Sequence, residues 1–173
     1  VSISLFMLLK RLTRISVVAF IGTILFLTHP IISENINMVS ALTEQYMAIF
    51  FVISFIYYIK YSDLRKVKYL FFSSFFYLLA LFAKETVALL FMTFFVYDFL
   101  FGKLKLNKKS AVVFLKSSVF YIIPLIAYLL VRFIVLGNVV HDLTGYHNFD
   151  ELSRFLTAVF TFPLYLSKLI YPW

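Results

Sequence analysis

The chain has 173 residues, 63% apolar and 14% charged, with 16 Lys and Arg against 8 Asp and Glu for a net charge of +8. A water-soluble domain usually carries about 25% charged residues; this composition excludes a fully water-facing surface and makes lipid the expected solvent. With no cysteine, disulfides, thiolate nucleophiles and cysteine-ligated metals are excluded.

The mean hydropathy is +0.97, and 23 Phe and 12 Tyr suit the aromatic belts of membrane interfaces. The positive charges stand in short clusters between apolar runs, which points to membrane topology rather than to nucleic acid. No cleavable signal pattern is evident. The chain opens at Val1 and closes at Trp173 without a finished terminus, so a piece of a larger membrane protein is expected.

In chain order, a short apolar piece from Ser2 to Leu9 meets a basic cluster of Lys10, Arg11 and Arg14. It could end an upstream span. Residues 15–28 form a first span, short for a hydrocarbon core of ~30 Å. Either it borrows flanking residues whose basic side chains snorkel, or residues 2–28 are one helix starting below the membrane surface. The apolar run then stops at Thr28, His29 and Pro30. Pro30 biases the residues before it away from helix, so the chain leaves the bilayer there for a backbone reason.

A second span is expected at 38–59, with Glu44 in its first turns. A charge at the bilayer centre costs roughly 2.5–3.5 kcal/mol, so Glu44 belongs near the interface or a wet cavity. A second basic loop runs from Lys60 to Lys68. The apolar stretch 69–101 would give one helix of about 50 Å, far longer than the bilayer. Two spans, 69–82 and 87–101, turning at Lys84 and Glu85, fit better. No Gly or Pro marks that turn, and a bent or broken helix is the competing reading. After a third basic loop with Lys103, Lys105, Lys108 and Lys109, spans follow at 111–136 and 155–171, with Pro124 and Pro163 inside them. Proline is tolerated in a membrane helix where neighbours satisfy the freed carbonyl.

The loops near 10–14, 60–68 and 103–109 are rich in Lys and Arg; those at 29–37, 83–86 and 137–154 are not. They alternate, as the positive-inside rule requires. The acidic and histidine-bearing loops therefore share the extracytoplasmic face.

Three groups on that face bear chemistry. His29 and Glu34 are either a polar pair at a membrane-surface site or a helix start with Ser33 as cap and Glu34 on the dipole. Lys84 and Glu85 lie between two apolar runs, and a lysine there can bind a phosphate as a point charge. The bland alternative is a neighbouring pair snorkelling at the interface. His141, Asp142, His147 and Asp150 lack metal-site spacing and read better as a solvated loop. Arg132 is a further anion ligand or an interfacial anchor.

The order of His29-Pro30 with Glu34 (H-P-x-x-x-E), Lys84-Glu85-Thr86 (K-E-T) and Tyr97-Asp98 (Y-D) resembles the GT-C membrane glycosyltransferases. It is most similar to the transmembrane-and-tetratricopeptide-repeat O-mannosyltransferases and their bacterial relatives. The stretch from Arg154 to Pro172 resembles the segment that follows in that family. The resemblance covers most of the chain. It implies an all-α, polytopic, GT-C-like transmembrane bundle that moves a sugar from a polyprenyl-phosphate carrier to a protein or glycan acceptor. The reaction face is extracytoplasmic, in a bacterial inner membrane or the endoplasmic reticulum. Lys84 is then the contact to the lipid phosphate, with His29, Glu34 and Glu85 shaping the site. The resemblance also implies a catalytic acidic residue in an external loop ahead of Val1 and tetratricopeptide repeats beyond Trp173, so that the isolated piece is inactive. The arginine common after the H-P-x-x-x-E segment is replaced by Ser40 to Thr43. No cofactor is evident, and a divalent metal stays open. Besides the bilayer, the implied partners are the lipid-linked sugar and its acceptor, with no nucleic acid. The rival reading is a non-enzymatic polytopic protein: a transporter, flippase or accessory subunit.

Overall fold

The computed structural model describes residues 1–30, 32, 41–101, 108–137 and 151–170. The described residues are helical with no strand, so the fold is all-α. The helices are α1 (Ser2–Thr13), α2 (Ser16–Thr28), α3 (Leu42–Leu64), α4 (Val67–Ala83), α5 (Met92–Leu100), α6 (Lys108–Leu136) and α7 (Glu151–Ile170), with a 3-10 segment (Glu85–Leu89) ahead of α5. Among the described residues, Leu42–Leu64 and Leu115–Val135 are long and apolar enough to cross a membrane. The apolar helices Ser16–Thr28, Val67–Ala83 and Phe155–Lys168 are shorter.

Residues 2–28 are not one helix. Arg14 takes the left-handed conformation at φ 61°, and its N–H closes α1 on the Lys10 carbonyl at 3.0 Å. The Thr13 hydroxyl donates to the Leu9 carbonyl at 2.8 Å, and α2 then returns along α1. Gly22 allows the close approach: a Cβ there would lie 3.1 Å from Leu9 Cδ1. Arg65 makes the same left-handed reversal between α3 and α4, with φ 54° and its N–H on the Tyr61 carbonyl at 2.7 Å. Both reversals lie at one end of the bundle, which Arg11 and Asp63 tie together across α1 and α3 at 2.8 Å.

At the opposite end α4 stops at Ala83, and Lys84 is extended. The following segment is a 3-10 turn and a nine-residue α5 rather than one helix over 87–101. The buried Tyr77 accounts for part of this. Its hydroxyl donates to the Ala88 carbonyl at 2.7 Å, satisfying a group that a continuous α-helix would have bonded internally.

The core is aromatic. The Phe94 ring lies 5.4, 5.2 and 4.9 Å from Phe51, Phe55 and Tyr58, so α5 packs along α3. Polar side chains also sit inside. Ser54 and Ser73 exchange hydrogen bonds with each other's carbonyls at 2.7 and 2.8 Å, drawing α3 and α4 together. Small residues at such contacts allow close backbone approach. The Ser73 hydroxyl also meets the Tyr121 hydroxyl at 2.7 Å. Pro124 removes one N–H from α6, which frees the Phe120 carbonyl four residues earlier. Ser74 of α4 donates to that carbonyl. Large apolar side chains such as Phe71, Phe75, Ile123, Ile134 and Phe160 cover the outside.

Candidate functional site

The end of the bundle away from Arg14 and Arg65 gathers four charged residues. Glu44 stands in the first turn of α3. Lys84 follows the last residue of α4, with backbone φ −159° and ψ 130° and its N–H on the Ala80 carbonyl at 3.0 Å. This extended residue turns its side chain toward α3, where the ammonium donates to Glu44 Oε1. Glu85 opens the 3-10 segment and faces α6 instead, with Oε2 3.2 Å from Arg132 Nη1. The same Nη1 donates to the Tyr128 hydroxyl at 2.7 Å. Two adjacent residues at the helix break are thus paired in opposite directions, one to α3 and one to α6.

The pairs differ in setting. The Lys84 and Glu44 side chains are 33% and 44% exposed. The Arg132 side chain is only 12% exposed, and its Nε is buried with no hydrogen-bond partner among the described residues. Partly exposed ion pairs are worth less than about 1 kcal/mol, so the Lys84–Glu44 pair opens at little cost to an incoming anion. Beside it lies a pocket of about 320 Å³ lined by Phe26, Leu27, Ile32, Glu44 and Met47 among others. A cation next to an apolar pocket can hold an amphiphile with an anionic head.

His29 caps α2 at this same end. It is half-buried and extended at φ −69° and ψ 126°, as the following proline favours. Glu34 and Ser33 lie outside the described residues, as do His141, Asp142, His147 and Asp150. Among the described residues, no three His, Asp or Glu side chains gather as a metal site. Lys84 and Glu85 are brought to one end with Arg132, while His29 closes the helix that lines the neighbouring pocket.

In the sequence Glu44 and Arg132 stand singly, and neither pairing is visible there. The separations along the chain, from 44 to 84 and from 85 to 132, leave no local signal. A second polar centre is hidden as well. Asp98 is 1% exposed and accepts hydrogen bonds from Tyr58 at 2.9 Å and from Ser62. A lone Asp near the end of an apolar run was the available cue.

No protein-family model matches the chain, and neither a curated protein nor a solved structure matches it.

Proposed function

We propose that this chain is part of an integral-membrane glycosyltransferase of the GT-C type. It moves a sugar from a polyprenyl-phosphate donor to a protein or glycan acceptor on the extracytoplasmic face. The observation that carries the reading is Lys84, held at a helix break at the end away from the basic reversals and next to an apolar pocket. Such a pairing suits a lipid phosphate whose chain stays in apolar surroundings. Composition, the two long apolar stretches and the apolar outer surface support the membrane setting. In this reading Lys84 leaves Glu44 for the donor phosphate. Glu85, fixed by Arg132, holds the turn, and His29 stands beside the pocket.

One observation favours the rival, a transport or accessory subunit. Asp98 is a buried carboxyl group in the helical core, of the kind that lines ion pathways. It sits beside Tyr58 and Ser62, in the last two turns of α3, rather than at mid-span. The test is sugar transfer from a polyprenyl-phosphate-linked donor in membranes carrying the full gene product. Lys84→Ala removes one charge-assisted contact to the phosphate, so kcat/KM for the donor falls about 10- to 100-fold. Unchanged transfer would remove Lys84 from the phosphate site.

A further inference from the structure

We propose that the cleft at the basic end of the bundle binds the phosphate headgroup of an anionic glycerophospholipid. This rests on the membrane reading above, but not on the transferase reading, which concerns the other end.

The ends of α1, α3 and α5 leave a cleft of about 880 Å³ between them. That volume lies within the range of small-molecule sites, roughly 300–1,000 Å³. Its rim carries Lys10, Arg11 and Arg14, all exposed, and among the described lining residues Asp63 is the single acidic one. Asp63 is already engaged by Arg11 at 2.8 Å, in a pair whose side chains are 37% and 33% exposed. Among the described lining residues, no second carboxylate faces Lys10 or Arg14. The Lys10 ammonium lies 5.9 Å from the centre of the Phe6 ring. Tyr97 and Phe101 continue the wall, with ring centres 4.6 Å apart, and Met7 and Phe101 stay more than half exposed at its mouth.

The cleft joins two unlike surfaces. Guanidinium and ammonium groups at the rim match phosphate oxygens, and Arg matches them bidentately. The aromatic wall offers nothing to a hydrated ion, but it accepts the first methylenes of an acyl chain. Basic pockets between helices on the cytoplasmic side are where anionic headgroups bind. The positive-inside rule turns this end toward that leaflet. Arg14 also fixes the α1–α2 reversal through its left-handed backbone, so its side chain starts from a defined position.

The experiment releases the whole chain from nanodiscs of equal parts phosphatidylcholine and phosphatidylglycerol and counts retained lipids by native mass spectrometry. The wild type retains phosphatidylglycerol in preference. Lys10→Gln, Arg11→Gln and Arg14→Gln each weaken retention about fivefold. Asp63→Asn releases Arg11 and strengthens it. Lys66→Gln with Lys68→Gln removes charge at the same end but outside the cleft, and leaves retention unchanged. Equal retention of both lipids by the wild type overturns the proposal. So does a loss in the Lys66/Lys68 control as large as in the cleft variants, or an absence of gain in Asp63→Asn. Flotation with phosphatidylcholine vesicles separates the two readings. A chain that does not float refutes the membrane setting itself, and one that floats without preferring phosphatidylglycerol refutes only the cleft.

Discussion

Replacing Ser74 by alanine strips the Phe120 carbonyl of the donor that compensates for Pro124. Ser74 is 9% exposed, and its hydroxyl spans from α4 to α6. A buried acceptor left unsatisfied costs about 1–3 kcal/mol in water-soluble proteins. Interhelical hydrogen bonds in membrane bundles average nearer 0.6 kcal/mol, with a maximum near 1.7. The lost bond spans two helices in a greasy setting, so we expect Ser74→Ala to cost about 1–1.5 kcal/mol. The diagnostic is the proline. Pro124→Ala restores an N–H that can reach the Phe120 carbonyl within α6, four residues back. In that background Ser74→Ala should cost less than about 0.5 kcal/mol, giving a coupling near 1 kcal/mol in a double-mutant cycle. Equilibrium unfolding in mixed dodecylmaltoside–SDS micelles, followed by circular dichroism, measures all four forms. An equal cost of Ser74→Ala in both backgrounds would refute the argument that serine replaces the missing donor.

Arg65→Gly should leave stability within about 0.5 kcal/mol. Relief of the left-handed backbone at φ 54° offsets the added freedom of the unfolded chain and the lost contact with Tyr61. Arg65→Val at the same position should cost about 1–2 kcal/mol in the same assay. Glu44→Gln should raise affinity for a polyprenyl-phosphate ligand several-fold, by freeing Lys84, while changing stability by less than about 1 kcal/mol. Titration of the lipid in nanodiscs reads this out, and a fall in affinity would show that Glu44 serves the ligand rather than competing with it.

Much of the helical layout is legible from charge and hydropathy. Among the described residues, α3 and α6 are the helices long and apolar enough to cross a membrane, and α4 ends at Ala83, where Lys84 and Glu85 interrupt the run. The reversal at Arg14 was harder to read. Left-handed residues are usually announced by Gly or Asn, and an arginine there gives no such signal. The 3-10 segment at Glu85–Leu89 was equally hidden, because it depends on the Tyr77 hydroxyl arriving from α4. The candidate site was half legible. The charges at 84 and 85 stand out from their apolar flanks, but their partners Glu44 and Arg132 are chosen by the packing of α3, α4 and α6. The same holds for Ser54 with Ser73 and for Asp98 with Tyr58, which look like ordinary span residues until the helices meet.

The two ends of the bundle should occupy opposite sides of a membrane. The absence of cysteine makes this directly measurable with single cysteines and a membrane-impermeant maleimide in intact cells. Thr86 and Lys66 are both exposed and lie at opposite ends of α4. Thr86→Cys should label from outside, and Lys66→Cys only after permeabilisation. Labelling of both from the same side, or of Lys66→Cys alone from outside, would contradict an extracytoplasmic site at Lys84.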